Sequence, residues 1–315
     1  MARCKSIEYT IPAADSAQDG KMNWMILSQY LYAGYVNIRS RDLPQCVFES
    51  SYIQGADITP IKINYCFRGR CEVMLNKGAT TFVVGDEIAV DYGTSCEGRK
   101  AFFYPTSEYE GVELIVIPAK PLEKELSPYG GKELISGLTD KFSDRSIPFI
   151  TVSNARIRRC MEDFKDDIIS GADEKLLMND VVRLLFLLND LPFKDEKRRT
   201  FCTPSQVDIA KKTVEIITGD LSKRHSAEEL AASFGVSESS LKNYCRVVFG
   251  KGYQDMISEI RMKKAAELIL KGEDSLGEIA EQVGYQSQSR FSKAFFKYHK
   301  VLPMEYKRRN YSAML

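Results

Sequence analysis

The chain has 315 residues, 44% of them hydrophobic, and a net charge of +1, values that fit a soluble globular protein long enough for two separate cores. No run of about 18 apolar residues exists to cross a membrane, and no apolar stretch follows Met1-Ala2-Arg3-Cys4-Lys5 as a signal peptide requires. The eight cysteines fall in no C-x-x-C or other metal spacing, so a cytoplasmic protein with reduced thiols is expected.

The first 40 residues are ambiguous. Asp15-Ser16-Ala17-Gln18-Asp19-Gly20 reads as loop, and Trp24 to Ile38 is apolar and aromatic with a period between helix and strand. From about Pro44 to Pro118 the pattern is β. Ile61, Ile63, Tyr65 and Phe67 alternate with Lys62, Asn64, Cys66 and Arg68, and Gly69 marks a tight turn before Cys71, Val73 and Leu75. Asn76-Lys77-Gly78 is a second turn. Thr80–Val84 and Glu87–Val90 flank Gly85-Asp86, and Ala101–Tyr104 and Val112–Ile117 follow. Short strands between frequent turns predict a small barrel or sandwich.

From Asn154 the period turns helical. Ile157, Cys160, Met161, Phe164 and Ile168 share one face, and Gly171-Ala172 ends the run. Leu176, Leu177, Val181, Leu184, Leu185 and Leu188 form a second, leucine-rich stripe ending before Pro192. This helix pair either packs only on its own barrel or also forms a dimer interface. The charge-dense Lys194–Arg199 and Pro204 read as an interdomain linker. The expected division is a β-barrel over 1–150, a helical dimerisation segment over 151–192, a linker over 193–206 and an all-α domain over 207–315.

The last third writes one helix-turn-helix pattern twice, at Ser226–Gly250 and Ser275–Lys300. Each copy opens with Ser-x-x-Glu (Ser226 with Glu229, Ser275 with Glu278), the signature of a capping box. Leu230-Ala231 and Ile279-Ala280 follow, then Gly235 and Gly284 four residues after each alanine. A second helix places Leu241 and Cys245, or Phe291 and Phe295, at spacing four. A helix from Tyr253 to Leu270 joins the copies, and Pro303 starts a short final helix through Tyr306. About 18 residues give roughly 27 Å, against about 34 Å for one DNA turn. One chain would thus read two successive major-groove segments. Charge agrees in sign: residues 205–315 hold 18 lysines and arginines against 14 acids, and the rest holds 26 against 29.

In such a motif the second helix presents its first turns to base edges. With the apolar positions inward, Ser239, Lys242, Asn243 and Arg246 face outward in the first copy. Gln288, Ser289, Ser292 and Lys293 do so in the second. Asn and Gln suit adenine, and Lys suits guanine or phosphate. Arg290, Lys297 and Lys300 are assigned to phosphate, which positions without specifying.

These residues bring the C-terminal third close to a known family. Arg261-Met262, Ala265-x-x-Leu268, Ile279-Ala280, Val283-Gly284-Tyr285, Ser287-Gln288-Ser289, Phe291-Ser292-Lys293, Phe295 and Pro303-x-x-Tyr306 resemble the DNA-binding domain of the AraC/XylS regulators, over about 205–310. Lys300-Val301-Leu302 departs from it, since the family usually has a glycine and a small residue there. More weakly, Gly69-Arg70-Cys71-Glu72 with Gly85-Asp86 resembles the turns of the cupin-like sensor barrel that many members carry. The resemblance implies an α+β multidomain chain: a small cupin-like β-barrel with trailing helices, then an all-α domain with two helix-turn-helix motifs joined by a long helix. It implies a homodimeric activator that binds double-stranded promoter DNA, responds to a small-molecule effector bound in the N-terminal barrel, and as an activator meets RNA polymerase.

Metal cupins need clustered histidines, and the only two are His225 and His299, both in the last third. Cys66, Cys71 and Cys96 show no zinc-like spacing. No metal, cofactor or catalytic residue is assigned, and an enzyme is disfavoured. An effector pocket is placed at Ile63, Tyr65, Phe67, Phe82 and Tyr92, which a packed barrel core would equally use. A regulator controlled by a protein partner, or lacking an effector, stays open as the alternative.

Overall fold

A computed structural model describes residues 5–11, 20–44, 58–75, 78–92, 101–145, 147–193 and 199–311. The loop reading at 15–19, the turn at 76–77, Cys96 and the linker residues 194–198 lie outside them. The chain forms two units, Met1–Phe201 and Cys202–Leu315.

The first unit is built on antiparallel strands. The ambiguous stretch resolves as a hairpin, β2 (Gly20–Ser28) with β3 (Leu31–Ile38). Its turn is held by the Tyr30 amide donating to the Ser28 hydroxyl at 3.1 Å. β1 (Lys5–Ile11) adds to β2. Both faces of β3 are buried, which erased the alternation that sequence reading relies on. Gly69 does not end a strand: β5 (Ile61–Met74) runs straight through it for 14 residues. Gly69 has φ +90, and a Cβ there would overlap the Glu108 carbonyl. It is a close-approach glycine rather than a turn glycine. Before it, β5 pairs with β7 (Glu87–Tyr92) and β9 (Tyr109–Val116); beyond it, β5 pairs with β6 (Thr80–Val84). β4 (Asp42–Pro44) pairs with β8 (Ala101–Phe103). Phe149–Val152, unassigned in the sequence, is β10 and pairs with β7. The main path runs β1-β2-β3-β9-β5-β7-β10.

Helices cover this sheet. α1 (Lys120–Glu125) and α2 (Gly131–Phe142) are additional to the elements expected before residue 150. α3 (Ala155–Ser170) is capped by Asn154, whose side chain accepts from the amides of Arg156 and Ile157. Gly171 ends α3 in the left-handed region, and Asp173 caps α4 (Glu174–Asn189). Lys141 of α2 donates to the Leu188, Asn189 and Leu191 carbonyls, satisfying acceptors at the end of α4. The apolar faces of α3 and α4 meet β2, β3, β5 and β9 in one core with Ile63, Tyr65, Val112, Phe149, Phe164 and Leu185. Leu176 is the exception in its stripe, 45% exposed at the start of α4.

The second unit is helical throughout. α5 (Pro204–Gly219) opens with a reciprocal capping box between Thr203 and Gln206. Then come α6 (Ala227–Ser233), α7 (Glu238–Phe249), α8 (Tyr253–Lys271), α9 (Leu276–Gln282), α10 (Gln288–His299) and α11 (Pro303–Tyr311). The capping box forms at Ser275–Glu278 but not at Ser226, whose hydroxyl caps nothing. There the Ser226 carbonyl accepts from Leu230 N at 3.2 Å, and Tyr253 Oη donates to the His225 carbonyl.

Candidate nucleic-acid interface

Each turn between paired helices is made by a glycine in the left-handed region, Gly235 at φ +67 and Gly284 at φ +79. In both, the residue after the glycine closes the preceding helix: Val236 N donates to Ala231 O at 3.0 Å, and Tyr285 N to Ala280 O at 2.8 Å. The chain then enters α7 or α10 through a serine cap. Ser237 accepts from Ser240 N at 3.1 Å, and Ser287 from Arg290 N at 3.3 Å. Both helices are 12 residues long. Leu241, Cys245, Phe291 and Phe295 are fully buried, so the opposite faces look outward.

On α7, Ser239, Lys242, Asn243 and Arg246 are all exposed. Arg246 Nη2 donates to Asn243 Oδ1 at 2.8 Å, so the two form one donor–acceptor unit. Lys242 pairs with Glu238 at 2.6 Å, an exposed i,i+4 contact that yields readily to a phosphate. On α10, Gln288, Ser289 and Lys293 are exposed and Ser292 is half-buried. Arg290, Lys297 and Lys300 are also exposed; Arg290 donates to Gln286 at 3.3 Å and Lys300 Nζ to the Lys297 carbonyl at 2.8 Å.

α8 is the spine between the copies. At 19 residues it spans roughly 28 Å. Its Arg261 clamps both motifs. Nη2 donates to the carbonyls of Leu221, 3.0 Å, and Lys223, 2.8 Å, ahead of α6. Nη1 donates to Gly284 O, 3.4 Å, in the turn before α10, and the guanidinium lies 5.9 Å from the Tyr285 ring. Sequence patterning registers Arg261 only as a matching letter, because its acceptors are backbone carbonyls distant in sequence. His299 is half-buried: it stacks on Phe295 at 4.3 Å, its Nε2 meets Met262 O at 3.2 Å, and burial lowers its pKa.

In the first unit, Ile63, Tyr65, Phe67 and Tyr92 converge on the core shared with α3 and α4. Tyr65 meets Phe67 edge-on at 4.8 Å, and its hydroxyl lies 3.4 Å from Ser153 Oγ. Phe82 is on β6, with the Arg70 guanidinium 5.3 Å over its ring. A cleft of about 810 Å³ opens elsewhere, bordered by Tyr129, Arg156, Arg159, Asn179, Arg183 and Phe186. Burial raises the thiols of Cys66 and Cys245 to about 12 and of Cys160 to about 11, so they remain protonated. Among the described residues no three His, Cys, Asp or Glu side chains gather to hold a metal, and no helix is long and apolar enough to cross a membrane.

Two capped helices of equal length, outward polar faces and one rigid spine define the class: a double helix-turn-helix DNA-binding domain. Residues 230–309 match the family described as a helix-turn-helix domain. The chain is 28% identical over 100 residues to the HTH-type transcriptional activator FapR of Escherichia coli, covering 32% of this chain and 38% of that protein. It is 24% identical over 192 residues to the Escherichia coli transcriptional activator AggR, covering 58% and 72%. Among solved structures it resembles the C-terminal domain of AraT, a response regulator from Geobacillus stearothermophilus, at 35% identity, 32% and 84% coverage and a TM-score of 0.31. The chain thus spans well under half of FapR. The C-terminal unit carries a helix-turn-helix domain and is similar to the DNA-binding domains of these transcription regulators.

Proposed function

We propose that the whole protein is a sequence-specific transcription regulator acting as an activator, and not an enzyme. The observation that carries this is the duplicated α7 and α10, with outward polar faces held on the single helix α8. Ser239, Lys242, Asn243, Arg246, Gln288, Ser289, Ser292 and Lys293 read bases; Arg290, Lys297 and Lys300 meet phosphate. The activator sense rests on the names of the relatives, and RNA polymerase is then the further partner. The protein acts in the cytoplasm.

Fluorescence anisotropy of the full chain on duplex DNA tests this reading. The logarithm of affinity falls linearly with the logarithm of salt, by about 0.9 per phosphate contact. Asn243→Ala or Gln288→Ala relaxes preference at one base pair by roughly 1–3 kcal/mol. Binding that ignores salt, or equal loss on random DNA, rejects the assignment.

Control by a small effector belongs to the first unit. The interior residues Ile63 and Tyr65 are packed against helices, so support for a ligand seat comes from the cleft beside α3 and α4 instead. Its size lies within the common ligand range of about 300–1,000 Å³. Asp190 also lines it, with Arg156 3.9 Å from Asp190 and Arg183 2.7 Å from Asp163, so the support for an anion comes from the excess of three arginines over that one carboxylate. Thermal-shift screening of the full chain against carboxylates and phosphates tests this; a panel that leaves the melting temperature unmoved removes it.

A further inference from the structure

α7 and α10 are the same helix written twice, and the structure fixes the register between them. Their caps are Ser237 and Ser287, and their ends are Gly250 and Lys300, both left-handed. An offset of fifty residues therefore equates each position of one helix with a position of the other. It pairs the buried Leu241 and Cys245 with Phe291 and Phe295, and the outward Ser239, Lys242 and Asn243 with Ser289, Ser292 and Lys293. The same offset pairs Arg246 with Phe296.

Phe296 is 51% exposed, whereas Phe291 and Phe295 on the same helix are fully buried. It contributes nothing comparable to the core of its unit. Ser289, Ser292 and Phe296 stand at i, i+3 and i+7, which places them on one ridge of the helix. A large apolar side chain thus ends a ridge that begins with two serines, at the position where the first copy carries an outward arginine. A phenyl ring has no donor for phosphate or for guanine. In the major groove the one apolar feature of a base pair is the thymine C5-methyl group, and Phe is among the side chains that pack on it.

We propose that Phe296 is a base-reading residue of the second motif, and that it recognises a thymine methyl group where its counterpart Arg246 recognises hydrogen-bond acceptors. The two halves of the bound site then differ in chemistry, so one chain reads its site in one direction only. This rests on the DNA-binding reading above.

Duplexes selected by the full chain from a random library supply the bound sequence, and each thymine in it is then replaced singly by deoxyuridine, which removes one methyl group and nothing else. For the unmodified protein, one replacement in the half read by α10 weakens binding about fourfold, the value of one buried methyl. Phe296→Ala binds the thymine and deoxyuridine duplexes equally while keeping its preference in the half read by α7, which shows that the domain is intact. Phe296→Leu keeps most of the methyl preference. A selected sequence in which every thymine tolerates deoxyuridine overturns the proposal and assigns the exposed ring to a protein partner. A methyl effect that survives Phe296→Ala also overturns it. Failure to select any sequence removes the DNA-binding reading itself, and this proposal with it.

Discussion

Three of the left-handed positions in the second unit, Gly235, Gly284 and Lys300, differ in cost. Gly235 at φ +67 has open space where a Cβ would go, whereas at Gly284 a Cβ would overlap the Leu221 carbonyl and the Arg261 guanidinium. Gly235→Ala therefore bears only the backbone penalty, about 1–2 kcal/mol. Gly284→Ala adds displacement of the Arg261 clamp, so its melting temperature falls further in thermal unfolding. Equal losses for the two variants would mean that Arg261 moves aside freely. Lys300 holds φ +61 with a side chain, at the place where the resembling family usually has glycine. Lys300→Gly is expected to stabilise the unit by about 1 kcal/mol, yet to weaken DNA binding and flatten its salt dependence by about one phosphate contact. Calorimetry and salt titration on one variant separate the two effects. The need for glycine is legible from a turn pattern; the neighbour that forbids a Cβ is not, because Leu221 and Arg261 arrive from distant parts of the chain.

At the element scale, the α3–α4 pair carries a buried carboxyl that no periodicity announces. Asp180 is 6% exposed on α4, and its Oδ2 has no donor. Burial, then a hydrogen bond to Asp167 and the charges of Asp167 and Asp163, raises its pKa to about 7, partly offset by Arg183. Its native pKa lies above the ordinary 3.8, so the folded state holds this proton more tightly than the unfolded one. The resulting stability is full below the unfolded pKa and is lost as pH rises through about 7. Asp180→Asn should therefore raise the melting temperature of the chain at about pH 8.5 more than at about pH 5. An equal gain at both would exclude a shifted proton. The apolar faces of α3 and α4 were legible because five or six residues repeat at helical spacing. Asp180 was not, since a charged letter within an amphipathic helix ordinarily marks its wet side. Short elements were also hidden: β10 has four residues and α1 has six, too few to establish a period.

At the scale of the whole molecule, the apolar stripes of α3 and α4 are spent largely on their own sheet. What they leave outside is Ile169, Leu176 and Phe186, with Tyr129 nearby in the cleft. We propose that a second copy covers Ile169 and Leu176, so the full chain sediments as a dimer at micromolar concentration and Leu176→Glu shifts it toward monomer. A chain that stays monomeric, even on DNA carrying two sites, ends that reading. The sequence by itself determined the helical repeat, the capping box at Ser275, the turn glycines, the outward polar faces and the β character of the front half. These are encoded by neighbours within one or two turns, where a single chain segment decides the outcome. Only the tertiary structure decided that Gly69 lies inside a strand, that Arg261 joins the two motifs, and that the expected pocket residues Ile63 and Tyr65 belong to a packed core. It alone decided that Phe296, the counterpart of Arg246 in the second copy, is exposed. Each of these depends on which distant backbone or side chain occupies the adjoining space, and that is settled by packing of the whole chain rather than by local periodicity.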